Sequence, residues 1–303
     1  MLEKFRVLSD LHVEFYASPK YLQVKLNKLY PDIHEDEILI VSGDLGVAGT
    51  GKKGATLNPE YQSILEYFAK KWNTVILVPG NHEYYDRDKS VCLEDIDAMI
   101  ENECKKLGIT FLNKNYVEIK NPKDSPNPKS YRILGCTLWS EATKEAYKGM
   151  NDNLKAILSH DELLKVHCEH RDWLKIQLQK CKEKNLEAIV ITHHLPLMEL
   201  THPKYLQPQY KPLNSAYASK LNSLFEDLGA KAPAWGHGIK GSGPFGTKGS
   251  ESHFIRSFIR LWVCGHTHEK SEKTLYGVNF LINPMGYPRE KKETIMKVDI
   301  LSI

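Results

Sequence analysis

Residues 261–270 read LWVCGHTHEK. An apolar run ends at Gly265, and two histidines separated by one threonine follow at once. The run has the composition of a buried strand. The glycine lets the backbone turn sharply, and neutral imidazole is the commonest metal ligand. A loop histidine is more often inert than not, so the pair alone decides nothing. The reading depends on whether other strand ends carry the missing ligands.

They do. FRVLSD (5–10) runs into Asp10-Leu11-His12, EILIVSGD (37–44) ends in Gly43-Asp44, and TVILVPGN (74–81) leads into Gly80-Asn81-His82-Glu83. EAIVITHH (187–194) closes on His193-His194, IRLWVCGH (259–266) opens into His266-Thr267-His268, and YRILGCTLW (131–139) is a further strand. Helical patterns lie between them at Glu60–Trp72, Val91–Leu107, Ser159–Lys184 and Ala216–Leu228. Strands alternating with helices give an α/β fold. A strand pair is expected around Tyr276-Gly277 and a last strand at Thr294–Ile300. In open α/β sheets, ligands bind outside the carboxyl ends of the strands, where these Asp, Asn and His residues fall. Gathered there without metal, the carboxylates and imidazoles would carry a heavy desolvation cost. Two divalent cations would offset it.

The motifs DxH, GD, GNHE, a His after an apolar strand, and GHxH occur in that order from Asp10 to His268. In this the chain resembles the calcineurin-like metallophosphoesterases. The resemblance implies a four-layer α/β/β/α sandwich with two mixed β-sheets. It implies that Asp10, His12 and His268 hold one metal, that Asn81, His193 and His266 hold a second, and that Asp44 bridges both. His82 matches the family's non-ligand histidine, which gives a proton to the leaving alcohol. The implied activity is hydrolysis of a phosphate monoester or diester, by attack of a metal-bridging hydroxide between two ions about 3.5–4 Å apart. Mixed nitrogen and oxygen ligation suits Mn, Fe, Zn or Co. The same fold serves as a protein–protein scaffold in a retromer subunit. A catalytically silent metal-binding scaffold is therefore the alternative, and it would leave an eroded metal rim.

The family's protein Ser/Thr phosphatases have an Arg before GNHE and an Asp-Arg-Gly run soon after the bridging Asp. Here Pro79 and Leu45-Gly46-Val47-Ala48 stand in those places. Two phosphate clamps and the partner of the proton donor are absent from those positions, so membership of that branch is not expected, and what orients His82 is left open.

Bulk properties set limits. The 303 residues are 41% hydrophobic and 26% charged, the make-up of a globular chain with a sizeable core. We read residues 1–303 as a single domain with a loop insertion at 229–257, which is rich in glycine. A net charge of +3 gives no reason to invoke nucleic acid or an anionic membrane. No apolar run approaches the roughly 20 residues needed to span a bilayer. MLEKFRVLSDLHVEF has no apolar core of a secretory leader, and the six scattered cysteines form no CxxC pair. Reduced thiols in a cytoplasmic setting are expected. The expected partner is a phosphorylated small molecule or nucleotide.

Rival motifs are weaker. GVAGTGKK (46–53) approaches a P-loop, but Lys53 stands where a hydroxyl should hold Mg²⁺, and Gly54 and Asn58-Pro59 delay any helix. A loop near the metals is the favoured reading, with Lys52 or Lys53 able to reach phosphate. His167 and His170 share a helix face and read as packing histidines. His194 is structural or sits behind the ligands, and His237 is a remote lid candidate. KNPKDSPNPKS (120–130) reads as a hairpin loop. Substrate contacts are expected from the loops after Asp44, around Tyr84-Tyr85 and after His194, where the tyrosines stack on a base or simply pack.

Overall fold

In the computed structural model, strands β1 (Lys4–Leu8) and β2 (Glu37–Ser42) pair in parallel, and β2 is buried along its whole length. The structure describes residues 4–33, 37–50, 56–85, 91–120, 130–230 and 257–290. A strand can be apolar at every position only when both faces are covered. Ile38 and Ile40 point to one hydrophobic layer, and Leu39 and Val41 to another.

A short ladder follows, β3 (Gly49–Thr50) with β4 (Thr56–Leu57). Then come β5 (Thr74–Val78) and β6 (Thr110–Phe111), which complete a four-stranded parallel sheet in the order β1-β2-β5-β6. The second sheet contains β7 (Asn115–Lys120), β8 (Ser130–Cys136), β9 (Glu187–Thr192), β10 (Ile259–Cys264), β11 (Ser271–Leu275) and β12 (Val278–Ile282). Its order is β11-β12-β10-β9-β8-β7. The inner pairs are parallel and both edge pairs antiparallel, so this sheet is mixed while the first is parallel.

The expected four layers are present. Phe5, Val7, Ile38, Ile40 and Ile76 of the first sheet meet Ile133, Ile189, Ile191, Leu261 and Val263 of the second. Each such side chain contributes about 1.5–3 kcal/mol by leaving water. Helices α1 (Pro19–Leu29), α2 (Pro59–Lys71) and α3 (Leu93–Leu107) cover the outer face of the first sheet. Short α4 (Lys144–Gly149) and α5 (Asp152–Lys155) precede α6 (His160–Glu183). After α7 (Asn214–Tyr217) comes α8 (Asn222–Asp227), which joins α6 over the second sheet.

Several expected boundaries shift. The run Ala216–Leu228 divides into α7 and α8, because Ala218 and Lys220 bridge to Leu195 and Leu197. Helix α1 escaped the sequence reading: only Leu22 and Leu26 are buried, while Tyr21 and Val24 are exposed and blur the period. Lys120 pairs with Ser130 across the proline-rich hairpin, as expected, although 121–129 lie outside the described residues. The turn at Tyr276-Gly277, with φ of 53° and 72°, joins β11 to β12. Residues 51–55 lie outside the described residues; the described helix that follows GVAGTGKK is α2, which starts at Pro59, capped by Asn58, which accepts from the Glu60 amide at 2.9 Å. Lys52, Lys53, His237, most of the 229–257 excursion and the tail strand at 294–300 lie outside the described residues. Among the described residues no helix is long and apolar enough to cross a membrane.

Candidate metal centre

Backbone hydrogen bonds stitch the strand ends into one rim. Asp10 N donates to Gly43 O and His12 N to Asp44 O, each at 3.0 Å, within the first sheet. Gly265 N donates to His193 O at 2.9 Å within the second. Ser42 Oγ donates to Cys264 O at 3.2 Å and Met285 N to Ser9 O at 2.9 Å, which tie the two sheets together. Asp10, His12, Asp44, His266 and His268 all have left-handed backbones, with φ between 50° and 71°. Such residues cost about 1–2 kcal/mol each and persist only where the surroundings over-determine them. The motif glycines serve the same crowding. A Cβ on Gly43 would overlap the His193 ring, and one on Gly80 would overlap the Asp44 carboxylate.

Three groups of ligand atoms result among the described residues; one of them, His12, Asp44 and His82, lies between the other two. Of those two, Asp10, His12 and His268 form one, with His268 Nε2 3.5 Å from Asp10 Oδ1 and 2.9 Å from His12 Nε2. Asp44, His193 and His266 form the other, with His193 Nε2 3.3 Å from Asp44 Oδ1. Asn81 Oδ1 lies 3.0 Å from His193 Nε2 and so faces the second cluster. Asp44 Oδ2 is 3.8 Å from His12 Nε2, so its two oxygens look toward different clusters. The seven residues named from the motifs are therefore brought together.

The donor set fits cations. His266 Nε2 is buried without a hydrogen-bond partner among the described protein groups. Burial keeps His12 and His266 below the ordinary histidine range and their imidazoles neutral. Burial also pushes His193 down, but Asp44 outweighs it and raises His193 to about 10. A cation on the same carboxylate competes with that proton. Outer partners fix the rings. His193 Nδ1 donates to Ser42 O at 2.9 Å, and His268 Nδ1 to Glu290 Oε2 at 3.1 Å, leaving both Nε2 lone pairs inward.

Beside the clusters, His82 Nε2 is 3.9 Å from Asp44 Oδ2, and its Nδ1 sits 2.7 Å from Glu14 Oε1. Glu14 is thus the partner that the sequence left unnamed. Burial lowers His82, but Asp44 and Glu14 outweigh it and lift it above the ordinary histidine range. Glu83 is wholly buried and accepts from Gly80 N at 2.7 Å, Leu45 N at 2.8 Å and Asp44 N at 3.1 Å, locking the GD loop to the GNHE loop.

A cavity of about 280 Å³ opens on the rim. Tyr85, Asp152, Tyr205, Tyr217, Tyr287 and Glu290 line it together with the cluster residues. The loop after His194 contributes Tyr205 and Tyr217, as expected. The stretches around Asp152 and Tyr287 were not anticipated, because no motif marks them. Tyr84 packs in the core, with its hydroxyl donating to Asp97 at 2.5 Å. His194 enters neither cluster; its ring packs 4.1 Å behind that of His266.

The family model for calcineurin-like phosphoesterases matches residues 3–270. The chain belongs to this family. A calcineurin-like phosphoesterase of this kind is 25% identical to uncharacterized protein L509 of Acanthamoeba polyphaga mimivirus, over 94% of this chain and 92% of that one. Its fold is similar to that of the phosphopantetheinyl hydrolase PptH from Mycobacterium tuberculosis, with a TM-score of 0.64 at 16% identity over 96% of this chain and 94% of that one. The family uses a dinuclear metal site, and the two Asp/His clusters of this phosphoesterase fit one.

Proposed function

We propose that this phosphoesterase hydrolyses a phosphate monoester or diester of a small molecule or nucleotide at a dinuclear centre, the chain acting as one catalytic domain in a cytoplasmic setting. The observation that carries the reading is a pair of adjoining clusters with Asp44 between them, Oδ1 3.3 Å from His193 Nε2 and Oδ2 3.8 Å from His12 Nε2, and with His82 beside them. Asp10, His12 and His268 would hold one cation, Asn81, His193 and His266 the other, and Asp44 both. Two such ions, with Mn, Fe, Zn or Co the best suited, supply Lewis-acid charge that neutralises phosphate and activates water.

The chain's own groups do the rest. His82 keeps Nδ1 on Glu14, so Nε2 is the nitrogen free to give a proton to the leaving oxygen. Glu14 stabilises the imidazolium before transfer. The tyrosine walls bound a space suited to a small molecule. The complete rim supports an enzyme over a silent scaffold.

The test is turnover of aryl phosphate mono- and diesters by the Mn²⁺-loaded protein. Hydrolysis is expected, and His82→Ala should cut turnover by roughly 10²–10⁴-fold while bound metal stays unchanged. Loss of metal in that variant would show that His82 is a ligand instead. Full metal occupancy with no turnover on either ester class would favour the scaffold.

A further inference from the structure

The two ends of the Asn81 amide meet different chemistry. Oδ1 faces His193 Nε2 at 3.0 Å. Nδ2 donates to Asp152 Oδ1 at 2.8 Å and to the Tyr85 hydroxyl at 3.0 Å. That hydroxyl spends its single proton on the same Asp152 oxygen, at 2.6 Å, so toward Asn81 it can only accept. Both neighbours therefore take the amide NH₂ and reject its carbonyl. All three side chains are buried, with exposures of 3% for Asn81, 1% for Asp152 and 7% for Tyr85. The three side chains are nearly covered although they form part of the cavity wall, and a flipped amide would leave mismatched groups at about 1–3 kcal/mol each.

We infer that Asp152 and Tyr85 are positioning residues that lock Asn81 with its oxygen toward the Asp44–His193–His266 cluster and so preorganise that cluster for its cation. The inference rests on the dinuclear reading above. Asp152 opens α5, 71 residues from Asn81 and away from every recognised motif. The lock addresses one cluster: among the described residues, the hydrogen bonds of the Asp152 and Tyr85 side chains go to Asn81 and to each other, not to Asp10, His12 or His268. It needs an accepting oxygen rather than a charge, because the carbonyl of an Asn at 152 can receive the same two protons.

The experiment titrates Mn²⁺ into the metal-free full chain by calorimetry and follows unbound Mn²⁺ by paramagnetic resonance. Wild type is expected to bind two ions. Asp152→Leu, which keeps the bulk and removes the acceptor, should weaken one site by roughly 10–100-fold, as loss of a ligand's outer partner does, and leave the other unchanged. Asp152→Asn should restore most of the loss. Tyr85→Phe should weaken the same site by a smaller factor, and it carries the test if Asp152→Leu does not fold. Equal weakening of both sites, no weakening at all, or an Asn variant as poor as Leu would overturn the lock. Wild type binding fewer than two ions would instead bring down the dinuclear reading, and the lock with it.

Discussion

Glu14 stands four residues beyond Asp10 in DLHVE, and its partner His82 comes from a different strand end. The carboxylate meets His82 Nδ1 because His12 adopts a left-handed backbone and a 3-10 turn over Val13–Phe15 follows, which folds Glu14 back over the site. Its negative charge favours the protonated imidazole, so removing it should lower the pH at which His82 loses its proton. Glu14→Gln is therefore expected to reduce kcat/KM about tenfold or more at neutral pH. It should also move the alkaline limb of the pH profile to lower pH, with metal content unchanged. A limb that stays in place would show that Glu14 does not hold the acid. His82 was legible because GNHE is a local pattern at a strand end. Glu14 was not, because the contact depends on a backbone conformation that ordinary residues seldom adopt. Asp152 and Glu290 escaped for a similar reason: each acts through another residue across a long chain separation, and neither lies in a motif.

Helix α6 offers the clearest case at the scale of an element. His167 and His170, one turn apart, both address Leu138, the first of two successive residues, with Trp139, that have positive φ. His170 Nδ1 accepts from Leu138 N at 3.0 Å, and His167 Nδ1 donates to Leu138 O at 3.0 Å. The Trp139 ring then stacks 5.7 Å from His194, which backs His266. The i, i+3 spacing announced packing histidines, but not their target, which exists only once β8 has been laid against α6. Burial holds His170 at about 3, against 6.5 for a free histidine. Between those values the unfolded chain binds a proton that the folded chain refuses, so stability is full above about 6.5 and falls as pH drops toward 3. One such group gives a slope of about 1.4 kcal/mol per pH unit. His170→Gln should flatten the dependence of the urea midpoint on pH between 6 and 4, at about 1 kcal/mol of stability at pH 7. Parallel curves for the two proteins would exclude His170 as the source.

At the scale of the whole molecule, the fold was readable because both sheets present near-continuous apolar strands that end in polar motifs, as doubly covered strands do. Strand order was not readable from the runs alone, since pairing depends on which faces meet across the central layer. That pairing brings β1, β2 and β5 of one sheet and β9 and β10 of the other to a single rim, so each proposed cation would be held by both sheets at once. Asp10 and His12 against His268, and Asp44 and Asn81 against His193 and His266, are all cross-sheet pairings. Ions bound this way stabilise the assembled sandwich and have no equivalent site in the unfolded chain. At a free concentration about 100 times the dissociation constant, one site adds about 2.7 kcal/mol. A chain of this size gains roughly 2–4 °C in Tm for each kcal/mol, so stripping with a chelator should lower Tm by about 5–10 °C for one site, and Mn²⁺ should restore it. Asp44→Asn should abolish most of this response, because its two carboxylate oxygens face different clusters, whereas His268→Ala should remove only part. A Tm indifferent to chelator and to Mn²⁺ would mean that the two sheets are held at the rim by protein hydrogen bonds, such as Ser42 Oγ to Cys264 O, His266 N to Asp10 and Asn283 Nδ2 to Val7 O, without help from the ions.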